Sequence, residues 1–177
     1  MKTHRFRLAA AVGVVAVLAV VIVAIAAARG GHGIKEKLTS YQEVPALSTP
    51  GQGTFRATID RKDQEIHYTL KFSGLESPVT QSHIHFENRT NSGPVVVFLC
   101  TNLGNGPAGT PTCPANGGTV TGTLTAASVR PVAGQNVSAG DFAAVLRILR
   151  SRDGYVNVHT VNFPGGEIRG QVTAAED

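Results

Sequence analysis

Six histidines occur in 177 residues, and two of them flank a single isoleucine in "QSHIHFENRT" as His83, Ile84 and His85. On an extended strand successive side chains alternate faces. His83 and His85 therefore point the same way, roughly 6 to 7 Å apart at the backbone, and both can reach one metal ion. A third imidazole, His159, stands in "YVNVHT", where alternation puts Tyr155, Asn157 and His159 on one face and Val156 and Val158 on the other. If the two strands are neighbours, the three histidines converge. Three nitrogen ligands without a thiolate suit Cu or Zn and leave one coordination position open, the arrangement of a reactive or exchangeable site. His67 offers a fourth ligand from the polar face of its own strand, and Glu87 an outer carboxylate. The simpler alternative is a pair of histidines hydrogen-bonded to backbone or carboxylate, shaping an irregular strand end. Trimming at Arg29 would also leave Gly30-Gly31-His32 at the N-terminus, an amine and imidazole arrangement that chelates Cu(II).

Metal-independent catalysis finds little support. Ser82 adjoins His83 and Ser92 lies in a turn, yet neither sits in a G-x-S-x-G elbow or beside a paired acid. The carboxylates Glu43, Glu65, Glu87 and Glu167 are dispersed, so no glycosidase pair is formed. There is neither a phosphate-binding loop nor a dinucleotide fingerprint. A non-enzymatic protein is the expectation, with no catalytic residues assigned.

These side chains must be carried by strands. "GTFRATID" alternates through Phe55, Ala57 and Ile59, and "EIHYTLKF" puts Ile66, Tyr68, Leu70 and Phe72 on one face. "PVVVFLC" is a continuous apolar run suited to a strand covered on both faces, and "GTVTGTLTA", "GYVNVHTV" and "GEIRGQVT" complete a set of seven or eight. Turn residues separate them at short intervals. One segment departs from the pattern: in "SAGDFAAVLRILRS", Phe142, Val145, Leu146 and Leu149 follow helical spacing, with Ser138 as N-cap and Asp141 in the first turn. The predicted fold class is all-β: an immunoglobulin-like antiparallel β-sandwich or barrel with one short amphipathic helix, preceded by an N-terminal hydrophobic segment.

That segment runs from Leu8 to Ala28 without a charge, behind Lys2, Arg5 and Arg7. It reads as a signal peptide or an N-terminal transmembrane anchor, because it is longer than the roughly 7 to 15 apolar residues of most cleaved signals and close to the roughly 20 that span a bilayer. Either way the remainder is placed outside the cytoplasm. The organisation expected is therefore residues 1–28 as signal or anchor, 29–35 as linker and 36–174 as a β-domain. The formal net charge of +4 is largely a property of the leader; after it, 13 basic and 12 acidic residues remain. No basic stripe interleaved with aromatics is left to hold nucleic acid. Cys100 and Cys113 bracket "TNLGNGPAGTPT", a segment with no hydrophobic period, and an extracytoplasmic disulfide between them would close a loop that packing cannot order. The triplets Asn88-Arg89-Thr90 and Asn136-Val137-Ser138 match the N-glycosylation pattern.

With these elements assigned, the sequence resembles the CHRD domain family, first described in chordin and found widely in bacterial exported proteins. The resemblance rests on "YQEVPALSTPGQGTF", "SHIHFENRTNSGPVVVFLC" and "YVNVHTVNFPGGEIRGQVT", together spanning roughly residues 36 to 174. It implies an immunoglobulin-type sandwich or barrel and an extracytoplasmic module of unestablished activity. The lack of an organised catalytic set leads to the expectation that such a module works through surface contacts with an extracellular protein, a glycan or an envelope component. The family's histidine motifs fall on His83, His85 and His159, and its Glu-Ile-Arg-Gly ending on Glu167, Ile168, Arg169 and Gly170. That ending is expected to be structural, with Ile168 and Val172 in the core while Glu167, Arg169 and Gln171 face out or pair across strands. The string His83-Ile84-His85-Phe86-Glu87 is also similar to the copper-ligand strand of copper/zinc superoxide dismutases. The zinc-loop histidines of that family have no counterpart here, so dismutase activity is not implied. Two functions therefore stand: a non-enzymatic binding module, secreted or tethered to the membrane, and a histidine-based Cu or Zn protein, remotely dismutase-like.

Overall fold

A computed structural model describes residues 32–60 and 64–173. The apolar run of residues 8–28 lies outside the described residues, as does the linker expected at 29–35 up to residue 31. Among the described residues no helix is long and apolar enough to cross a membrane.

Eight strands follow in chain order: β1 (His32–Thr39), β2 (Gln52–Asp60), β3 (Glu65–Ser73), β4 (Val79–Phe86), β5 (Val95–Thr101), β6 (Gly118–Leu124), β7 (Gly154–Thr160) and β8 (Ile168–Gln171). All pairings are antiparallel, in one sheet of order β5-β4-β7-β8-β1-β2-β3-β6. Its two outer strands come back together. Tyr68 Oη on β3 donates to Leu99 O on β5 at 2.5 Å, and Val97 on β5 bridges to Val129, just beyond β6. The sheet is thus a nearly closed barrel, which protects its free edges.

Inward positions match the period-two reading. Phe55, Ala57 and Ile59 on β2 and Ile66, Tyr68, Leu70 and Phe72 on β3 are buried. They meet Ile84, Val156, Val158, Ile168 and Val172 from the other side of the barrel in one core. The β5 run Val96 to Cys100 is buried on both faces, as its unbroken apolar character predicts.

Two local expectations are corrected. The segment 29–35 is not linker throughout, because β1 begins at His32 and pairs along its whole length with β2, His32 standing opposite Ile59. Ile34, Glu36 and Leu38 all face inward. The alternation was masked in the sequence by a carboxylate at an inward position: Glu36 Oε1 receives Thr173 N and Thr173 Oγ1, each at 2.6 Å. The helix α1 (Phe142–Ser151) is capped by Asp141, whose Oδ1 accepts from Ala144 N at 2.9 Å, and not by Ser138. Gly140, at φ +77°, turns the chain between them, leaving Ser138 in the preceding turn. The buried face of α1 is Phe142, Ala144, Val145, Ile148 and Leu149, with Leu146 partly buried against the core.

Cys100 and Cys113 form the expected disulfide, their Cα atoms 5.2 Å apart. Asn102 organises the loop they close, receiving Cys113 N and donating to Val79 O and Cys113 O. A closed loop of this size stabilises a fold by on the order of 3 kcal/mol.

Candidate metal centre

The inner face of β7 and β8 carries Val156, Val158 and Ile168, and their outer face would be expected to meet water. It does not: every residue of β7 and β8 is buried. Polar side chains that alternate with the core valines are covered by loops, and those loops are held down by the strands they cover.

Arg169 is the main tether. Its Nη1 donates to Asn91 O and its Nη2 to Asn88 O, both at 2.9 Å, fixing the segment 87–94 that joins β4 to β5. Nη2 also donates to Gln171 Oε1 at 3.1 Å, and the guanidinium carbon lies 3.4 Å from the Tyr155 ring centroid. Gln171 Nε2 adds bonds to Glu87 O and Arg152 O. Glu167 holds the other end, receiving Glu76 N on Oε1 and Thr160 Oγ1 on Oε2. The Glu-Ile-Arg-Gly ending is therefore structural, and its polar members sit in a buried layer.

The three histidines occupy this layer. β4 and β7 are neighbours, with His83 opposite Asn157, His85 opposite Tyr155 and Gln81 opposite His159. One ring nitrogen from each of His83, His85 and His159 lies within 4.8 Å of the others. The three residues are 2%, 6% and 5% exposed respectively, so the convergence inferred from alternation is an interior cluster. A register shift between Ile84 and His85 in the pairing of β4 with β5 adjusts where His85 sits relative to His83.

Backbone carbonyls set the protonation of two rings. His85 Nδ1 lies 2.8 Å from Gly93 O and His159 Nδ1 lies 2.9 Å from Pro164 O. A carbonyl only accepts, so both Nδ1 atoms carry the proton and both Nε2 atoms present a lone pair. His83 Nδ1 lies 3.0 Å from His159 Nε2, and in the metal-free pair His83 is the donor. Burial holds His83 at a pKa of about 2, with the neighbouring His159, His85 and Arg130 acting in the same direction. Burial lowers His85 to about 4 against the opposing bond to Gly93, and lowers His159 against the bond to Pro164. All three imidazoles are thus neutral at physiological pH, the form that ligates metal.

Packing fixes the rings further. His85 stacks on Tyr155 with centroids 4.7 Å apart and planes 3° from parallel, and His83 meets the edge of Phe98 at 4.4 Å. Gly93 is required where it stands, since a Cβ there would collide with Phe86 O and Glu87 Cβ. Among the described residues, five buried side-chain polar atoms lack a hydrogen-bond partner, and four belong to this layer: His83 Nε2, His85 Nε2, Asn157 Oδ1 and Glu43 Oε1. Each such atom costs roughly 1 to 3 kcal/mol, so their concentration in one place marks a site arranged for something other than packing.

Two expected participants stand elsewhere. His67 is exposed on β3, bonded to Thr123 Oγ1 at 3.0 Å and 3.5 Å from Glu65, away from the cluster. Glu87 bonds its own neighbour, Asn88 N. The buried carboxylate of the layer is Glu43, which follows the short 3-10 turn Ser40–Gln42 and had appeared in the sequence only as one of several dispersed acids. Burial raises its pKa to about 7, against Arg169, the Val44 N–H and the Asn157 amide. Its place in "YQEVP", the first segment of the family resemblance, was the one signal that could have singled it out.

The model of one protein family, the CHRD domain, matches residues 34–172. No curated protein and no solved structure matches the chain.

Proposed function

Since the chain belongs to the CHRD domain family, whose activity is unestablished, we propose a function from the site it carries: an extracytoplasmic module that binds one Cu or Zn ion through His83, His85 and His159. Three buried, neutral imidazoles with converging ring nitrogens carry this reading. The nitrogen-only set suits these two ions above Mg or Ca, which take oxygen ligands. Simple core histidines would fill both ring nitrogens with hydrogen bonds, and here two Nε2 atoms are left without one.

The disulfide fits an extracytoplasmic location. Residues 8–28 direct export and serve as membrane anchor where they are retained. The wider role as a partner-binding module, for an extracellular protein, glycan or envelope component, rests on the sequence, which carries no nucleophile elbow, glycosidase pair or nucleotide-binding loop. The histidine cluster adds a ligand class to it.

The test is calorimetric titration of the untagged chain with Cu(II) and Zn(II), with His32→Ala to exclude N-terminal chelation. One ion per chain is expected, with affinity falling at least about 100-fold in His159→Ala. No stoichiometric uptake, or equal uptake in His159→Ala, would remove the proposal.

A further inference from the structure

Beside the three histidines stand two buried oxygen atoms that accept no hydrogen bond, although the Val44 N–H and the Asn157 amide reach the Glu43 carboxyl. Glu43 Oε1 and Asn157 Oδ1 are buried without a partner, and they belong to side chains that meet. A Cβ on Gly166 would collide with Glu43 Oε1 and lie 2.7 Å from Asn157 Nδ2, so carboxyl and amide close over that glycine. Asn157 sits two positions from His159 on β7 and opposite His83 on β4. Its amide faces both the Glu43 carboxyl and the His85 ring. The layer thus contains ring nitrogens with lone pairs to give and, next to them, oxygens that need hydrogen donors.

A bare cation would satisfy the nitrogens alone. An ion carrying a water molecule satisfies both sets, because the water oxygen gives a lone pair to the ion while its two O–H groups point at acceptors. Three protein ligands leave such a position open on Cu or Zn. We infer that the fourth position of this centre is built for a neutral, hydrogen-donating ligand, water in the resting state, received by Glu43 and Asn157, and that it disfavours small anions. The inference rests on the metal-binding reading above. Two acceptor oxygens, one on an ionisable carboxyl, repel an anion in a site shielded from water, where such interactions are strong. Glu43 and Asn157 are positioning residues here: they hold what the ion binds and do not ligate it. Gly166 makes room for this contact, which accounts for a glycine in "PGGEIRG" at φ +126°.

The experiment uses the full-length chain carrying His32→Ala and loaded with Cu(II). Electron paramagnetic resonance in water enriched in oxygen-17 should show line broadening from a directly bound water, a readout that needs no further variant. Azide titration then compares this parent with Glu43→Gln and with Glu87→Gln, a nearby carboxylate outside the acceptor pair. Glu43→Gln should keep one Cu per chain and bind azide at least tenfold more tightly, while Glu87→Gln matches the parent. Absence of broadening in a fully loaded parent overturns the inference and leaves the three-histidine reading intact. Equal azide affinity in Glu43→Gln and the parent, or equal gains in both variants, also overturns it. If the parent takes up no stoichiometric Cu, the metal-binding reading falls first and this one with it.

Discussion

β2–β3 and β4–β7 belong to one sheet and share one alternation, yet their outer faces differ in kind. On β3 the inward residues are buried while Glu65, His67, Thr69, Lys71 and Ser73 are partly or wholly exposed. On β7 the same alternation gives Tyr155, Asn157 and His159, and all are buried. Strand pattern does not separate the two. What does is a set of loops, 40–51, 87–94 and 161–167, which lie over one half of the barrel and leave the other to solvent. A histidine on the open half, His67, makes ordinary surface contacts. Histidines on the covered half are held neutral, oriented by carbonyls and placed within reach of one another. Site chemistry here is therefore a product of coverage.

The most forceful way to erase the difference is to release a loop. Arg169→Ala removes two bonds to loop carbonyls and one to Gln171, and denaturant unfolding should show a loss on the order of 3 kcal/mol. Metal affinity should fall with it. A smaller loss, about 2 kcal/mol, is expected for Gly93→Ala, where the new Cβ must displace Phe86 O and shift the carbonyl that orients His85.

Acid should act on the covered half selectively. His83 and His85 have folded pKa values of about 2 and about 4, below the ordinary value of 6.5. The unfolded chain therefore takes up protons first. Their contribution to stability is complete above pH 6.5 and is lost as pH falls towards 4 and below, by on the order of 1 kcal/mol per pH unit for each imidazole. Glu43 runs the other way: with a folded pKa of about 7 against 4.5, it is the folded state that binds the proton between those values, so stability falls as pH rises through them. In metal-free Glu43→Gln this opposing contribution is gone, and stability measured from pH 7.5 to 4.5 should fall more steeply with acid than in the parent. An equal or shallower slope would contradict the assignment. At the low end of the scale, Lys71→Ala on the open face of β3 should change stability by no more than about 0.5 kcal/mol and metal uptake not at all.

Much of this architecture was legible in the sequence. The inward sets on β2, β3 and β7, the apolar β5, the helix and the disulfide follow from period, turn residues and cysteine placement. β1 lacks a strand signature at its start, because "RGGHG" has the composition of a flexible segment and the inward Glu36 interrupts the apolar alternation of Ile34 and Leu38. For the site, alternation placed His83, His85 and His159 correctly on their faces, and it even grouped Asn157 and Tyr155 with His159. It could not reveal Glu43, which reaches the layer from a loop and carries no periodic signature. Nor could it show that Gly93 and Pro164 contribute carbonyls, since backbone acceptors are invisible to residue type. His67 shares only residue type and a polar-face position with the ligands, and the sheet order places β3 on the open half.

The central claim is that three imidazole nitrogens on the covered half take one ion. X-ray absorption at the metal edge of the loaded protein tests it most directly, in the parent and in His67→Ala. Three imidazole nitrogens and one oxygen near 2.0 Å, and no sulfur, are the expected shell, unchanged in His67→Ala. A shell of oxygens alone, or one that loses an imidazole in His67→Ala, would contradict it.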